Sequence, residues 1–125
     1  MPSFSKHSQA NLETVHPDLQ RLFSEVIKHR DCSIICGHRP EKLQSLLYKG
    51  GYSKVPFPYS THNDFPSKGV DALFYPFTNW GDKRRFRRFA MFVLKKAKEM
   101  EIDIRWGGHW KTFYDAVHFE LHQKP

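Results

Sequence analysis

The stretch from Lys83 to Met100 constrains the fold more than any other part of the chain. Phe86, Phe89, Ala90, Val93, Ala97 and Met100 recur there at helical spacing, and Arg84, Arg88, Lys95 and Lys98 occupy the opposite face. Asp82 is placed to cap this helix. A helix with one apolar stripe needs an apolar layer to lie on. The short β-prone segments Cys32–Cys36, Val70–Tyr75, Ile102–Trp106 and Val117–Leu121 can supply that layer. Cys32–Cys36, stopped by Gly37, reads as a central strand. Further helices are expected from Asp18, with Pro17 at its start, and from Pro40 to Tyr48, with Leu43, Leu46 and Leu47 inward and Gly50-Gly51 as its stop. A short helix is expected over Trp110–Asp115. Helices and strands mix without a βαβ rhythm, which favours α+β: one small domain over residues 1–125, helices packed on an antiparallel sheet. Residues 1–11 are polar and read as loosely ordered. Residues 52–69 form a long loop, and its aromatic residues at 52, 57, 59 and 65 argue that it packs and has a function.

A chain of 125 residues affords one core and no separate binding module. Lys+Arg 20 against Asp+Glu 13 gives a net charge of +7, which favours an anionic partner without choosing among nucleic acid, membrane surface and acidic polymer. No stretch approaches ~18 uninterrupted apolar residues, so no stable membrane insertion is expected. No secretory leader is recognisable in Met1–Gln20. Cys32 and Cys36, about 13 Å apart in an extended segment, are too far apart for a disulfide and read as buried, reduced thiols.

Among the eight histidines, His62 and His118 stand out. His62 lies in the long loop just before the strand that carries Asp71, and a carboxylate inside a strand is costly unless paired. His118 alternates with Phe119 and shares a sheet face with Glu120, which is either a partner of the site or merely exposed. Two imidazoles and a carboxylate on adjacent rigid elements make a three-ligand set, for which zinc with an open fourth position is the chemical expectation. Neither HExxH nor CxxC is present, so spacing alone is a weak signal. Asp115, three residues before His118, is either a proton carrier beside such a site or a surface carboxylate or cap. Arg39 offers a planar fork for a substrate carboxylate, or a surface ion pair.

These residues sit in recognisable blocks. They are Ser60-x-His62-Asn63-x-x-Pro66-Ser67-x-Gly69-Val70-Asp71, Ile104-Arg105-Trp106-Gly107-Gly108-x-Trp110, and Asp115-x-x-His118-Phe119-Glu120-Leu121. Ser8-x-x-x-Leu12, Val15-His16-Pro17-x-Leu19 and Gly37-x-Arg39 precede them. Together they resemble the zinc D-alanyl-D-alanine carboxypeptidase and L-alanyl-D-glutamate endopeptidase family, most closely its bacteriophage endolysin branch. The resemblance implies a small α+β peptidase fold and one zinc per chain on His62, Asp71 and His118. It implies Asp115 as general base, Arg39 orienting substrate or stabilising charge, and Ser60 in support. The implied substrate is the peptidoglycan stem peptide, cut between L-Ala and D-Glu to lyse the host. The implied course is accumulation in the host cytoplasm, then access to the periplasm and wall through a phage-made membrane pore.

The chain departs from that branch at His109, where Asp is usual, and at Gly69, where Ala is frequent. His109 is a candidate supporting residue, and it is also the reason to weigh an inactive homologue. Two active rivals remain: carboxypeptidase action on D-Ala-D-Ala or another stem-peptide bond, and a basic nucleic-acid-binding protein using Lys83, Arg84, Arg85, Arg87 and Arg88 with Trp80 and Phe86. The family reading expects no nucleic-acid partner and demands no more than a monomer.

Overall fold

The computed structural model describes residues 2–111 and 114–122. Among these, four helices and four strands succeed one another: α1 (Lys6–Leu12), α2 (Pro17–Val26), β1 (Cys32–Cys36), α3 (Glu41–Lys49), β2 (Gly69–Phe74), α4 (Lys83–Glu99), β3 (Ile104–Trp106) and β4 (His118–Leu121). The strands form one antiparallel sheet in the order β1-β2-β4-β3. The α+β expectation therefore holds.

One face of the sheet carries the core. Ile34 on β1, Val70, Ala72 and Phe74 on β2, Trp106 on β3 and Phe119 on β4 are buried against α2 and α4. Phe119 sits between the two helices, 5.7 Å from Phe23 and 6.3 Å from Phe89 between ring centroids. Burial of each such side chain stabilises the fold by roughly 1.5–3 kcal/mol. α4 follows its stripe, with Phe86, Phe89, Ala90, Val93 and Ala97 buried and Asp82 accepting the Arg85 N–H. α2 begins at Pro17, and His16 accepts the Asp18 N–H.

Five expectations need correction. β1 is an edge strand, not a central one, and the reason it looks central is α1. At Ile34 the outward N–H donates to Ser8 Oγ at 3.0 Å and the outward carbonyl accepts from Asn11 Nδ2 at 2.8 Å. A helix thus covers the edge and satisfies it. It follows that residues 6–12 are ordered and anchored, not loose; Ser8 is buried. On α3, Leu43 and Leu46 face outward, Leu46 being 62% exposed, while Gln44 is fully buried. In the long loop Tyr52, Tyr59 and Phe65 are exposed, so its aromatic residues do not pack as a group. Trp110, Lys111, Tyr114 and Asp115 are not helical; the remainder of the expected helix, residues 112 and 113, lies outside the described residues.

The opposite face of the sheet is the floor of a cleft. Because side chains alternate along a strand, the residues between the core positions point there. These are Gly69 and Asp71 on β2, and His118 and Glu120 on β4. The loop after β1, the 52–63 segment and the β3–β4 connection form its walls.

Candidate metal centre

Strand register builds the cluster. Asp71 and His118 are direct cross-strand partners. His62 comes from a one-turn 3-10 helix, Thr61–Asn63. Ser60 caps that turn, its Oγ accepting the His62 N–H at 3.2 Å, and Asn63 Oδ1 accepts the Ser60 N–H in return. Ser60 therefore positions the His62 backbone.

The three side chains converge on one point. His62 Nε2 lies 3.2 Å from Asp71 Oδ1, His118 Nδ1 lies 3.1 Å from the same oxygen, and the two ring nitrogens are 3.1 Å apart. Ligands about 2.05 Å from a tetrahedral zinc stand about 3.3 Å from each other. The triangle is close to that size without adjustment. The far nitrogens are already committed. His62 Nδ1 donates to the Gly37 carbonyl at 2.8 Å, and His118 Nε2 donates to Glu120 Oε1 at 2.7 Å. Such outer partners fix which ring nitrogen faces a metal. The donor set and its orientation fit zinc.

Glu120 is thus a buried partner of the site. It also accepts from Arg105 Nη2 at 2.6 Å, and Thr61 Oγ1 lies 3.5 Å away. Burial would raise its carboxyl, but the bond from His118 and the Arg105 charge outweigh this and lower it. Glu120→Gln keeps the shape and removes the charge. Its zinc affinity should fall by about 10–100-fold, measured by competition with a chromophoric chelator. An unchanged affinity would reduce Glu120 to packing.

Asp115 reaches the cluster from the β3–β4 connection. Its carboxylate, an Asp71 oxygen and a His118 nitrogen all lie within 4.8 Å of one another. Burial first, then the charge of Asp71, raises its carboxyl. Gly107 makes this approach possible. The Asp115 N–H donates to its carbonyl at 3.1 Å, and a β-carbon on Gly107 would collide with the Asp115 carbonyl oxygen. Gly69 has a similar role. A β-carbon there would press on the Thr61 hydroxyl and stand 2.9 Å from His118 Cε1, so the departure at this position is not an indifferent one.

Arg39 lies on the cleft wall. Its Nη2 is 3.7 Å from Asp71 Oδ2 and its Nη1 donates to Gln44 Oε1 at 2.9 Å. Gln44 went unnoticed in the sequence. It is the hub of this wall, donating to Ser53 Oγ and the Val55 carbonyl while Asn63 donates to its oxygen at 3.3 Å. A lone Gln between Leu43 and Ser45 carries no sequence signal for this. Cys36 was also missed as a neighbour. It is half-buried, and its Sγ lies 3.8 Å from His62 Nδ1, the nitrogen turned away from the three-ligand triangle. Cys36, His62 and Asp71 form a second group with donor atoms within 4.8 Å. His109 is not brought to the cluster. It is exposed, packs edge-on against Trp106 and lines a different hollow.

The cleft, about 530 Å³, holds Arg39, Ser60, His62, Asp71, Asp115 and His118 on its surface. A peptide fits such a space, with the cluster at its floor. The family model described as phage L-alanyl-D-glutamate peptidase matches residues 2–122. The chain belongs to this family. The crystal structure of Serratia marcescens L-Ala D-Glu endopeptidase ChiX superposes with a TM-score of 0.81. It is 28% identical, over 97% of this chain and 91% of that one. None of the curated proteins compared matches the chain. No helix among the described residues of this phage-family peptidase is long and apolar enough to cross a membrane.

Proposed function

We propose that the protein cuts peptidoglycan stem peptides between L-Ala and D-Glu, using one zinc ion held by His62, Asp71 and His118. The endopeptidase activity comes with family membership. The observation that carries the metal assignment is the convergence of three donor atoms at 3.1–3.2 Å, each imidazole turned by a committed far nitrogen. Zinc in such a set supplies Lewis acidity toward a water and toward a carbonyl oxygen.

The chain's own groups do the rest. Asp115, facing the ligand triangle, accepts the proton of the attacking water and returns it to the departing D-Glu nitrogen. Arg39, fastened by Gln44, gives the wall a fixed positive charge for a substrate carboxylate or a developing oxyanion. Ser60 holds the turn that presents His62. In the host this activity leads to lysis, with access to the wall through a phage-made pore.

Product chemistry tests the bond. Digestion of purified peptidoglycan should expose new D-Glu amino termini by mass spectrometry, and a chelator should stop it. Released D-Ala in their place would move the protein to carboxypeptidase action.

Zinc uptake should also release protons. In the metal-free site burial lowers His62, but its bonds to Asp71 and Cys36 prevail and raise it to about 10. His118 also rises, burial being overcome by Asp71 and Glu120. Zinc takes the neutral imidazole, so protons leave as it binds and affinity weakens as pH falls. Calorimetry at pH 7 in buffers of different ionisation heat should count about one to two protons released per zinc. None released would mean that the imidazoles are neutral beforehand.

A further inference from the structure

The cleft continues past Asp115. That residue also lines a smaller hollow of about 200 Å³ with Trp80, Phe86, Tyr114, Ala116 and Val117. Trp80 is 63% exposed, yet it is held in place. Its ring stacks on buried Phe86 at 6.0 Å and 17°, and leans on Phe77 at 5.0 Å. Tyr114 stands half-exposed in the same hollow, with the Lys83 ammonium 5.4 Å from its ring centre. An exposed indole that is rigidly backed loses little freedom when something lies on it. Exposed aromatic surface beside a catalytic cleft is a mark of a binding site.

The larger cleft that shares Asp115 with this hollow adds cationic groups to its lining. These are Arg39, Lys54 and Arg105. The cleft therefore offers cations to a carboxylate, and the adjoining hollow offers a flat, weakly polar face. The proposed substrate carries a group for each. D-Glu, on the leaving side, carries a free carboxylate, and so do residues beyond it. L-Ala, on the acyl side, is joined through its nitrogen to the lactyl group of an N-acetylated sugar. A pyranose presents C–H groups on its face and hydroxyls at its rim, which an aromatic plane with a nearby ammonium accommodates.

We propose that the Trp80–Tyr114 hollow is the subsite for the sugar that carries the stem peptide, so that the enzyme recognises glycan-linked peptide over free peptide. This rests on the L-Ala–D-Glu reading. The test compares kcat/KM on a muramyl tripeptide with that on the same tripeptide acetylated at L-Ala. The wild type should prefer the sugar-bearing substrate by about tenfold, the size of one aromatic stacking contact. Trp80→Ala should bring the ratio to about one, and Trp80→Phe should restore most of it. An equal loss on both substrates, or a ratio that Trp80→Ala leaves intact, overturns the subsite. A wild type without preference overturns it too.

Titration of the peptide-free disaccharide into isotope-labelled protein should move the Trp80 indole N–H resonance. A resonance that ignores the disaccharide but moves with anionic phospholipid vesicles would give the hollow to a membrane surface and overturn the proposal. If neither tripeptide is cut at L-Ala–D-Glu, the bond assignment fails, and this titration alone decides the subsite.

Discussion

His118→Ala should purify without zinc and leave peptidoglycan uncut. His118 Nδ1 is one corner of a triangle whose other corners are His62 Nε2 and one Asp71 oxygen. Removing it leaves two protein donors, too few for a closed hold on zinc. Metal content should drop from one per chain to near zero, and hydrolysis should fall to background. A thermal readout separates metal loss from misfolding. Zinc at 1,000 times its dissociation constant stabilises a folded site by about 4 kcal/mol, so the wild-type melting temperature should rise with added zinc. The variant should melt cooperatively at a temperature that zinc does not move. His62→Ala should behave alike. Full zinc occupancy in either variant would remove that residue from the ligand set.

Which parts of this site could be read from sequence follows from what each feature depends on. The alternation of Val117, Phe119 and Leu121 with His118 and Glu120 is local, and it assigns the two faces of β4 before any partner is known. The stripe of α4 is local in the same way, and so is the anomaly of Asp71 inside an apolar strand. Register is not local. That Asp71 faces His118 directly depends on how β2 and β4 slide against each other, and neither strand records this alone. The edge position of β1 was hidden for a related reason. Edge and centre differ in what satisfies the outward backbone groups, and here Ser8 and Asn11 of α1 do so from 26 and 23 residues away. α3 misled because leucines at helical spacing usually mark a buried face. Here Gln44 is drawn inward by Arg39, Ser53 and Val55, and Leu43 and Leu46 are left outside. The assignment of His62, Asp71, His118 and Asp115 as a set came from resemblance, not from spacing.

Asp115→Ala should keep its zinc and lose hydrolysis by about 10²–10⁴-fold, the usual share of a positioned proton carrier. Two features set Asp115 apart from the three proposed ligands. It comes from the β3–β4 connection, neither a strand like Asp71 and His118 nor the helical turn of His62, and its backbone is pinned between Gly107 and His118: its N–H donates to the Gly107 carbonyl at 3.1 Å and its carbonyl accepts the His118 N–H at 3.2 Å. The carboxylate is thereby held near the triangle while the triangle is complete without it. Asp115→Asn sharpens the test, because it keeps the size and removes the ability to take a proton. If proton transfer is the role, the Asn and Ala variants should lose similar activity with unchanged metal content. If the Asn variant retains activity and only the Ala variant fails, the side chain matters for its shape and another group moves the proton. Zinc lost from the Ala variant would instead place Asp115 among the ligands, and the open position that a water needs would have to be found elsewhere on the cluster.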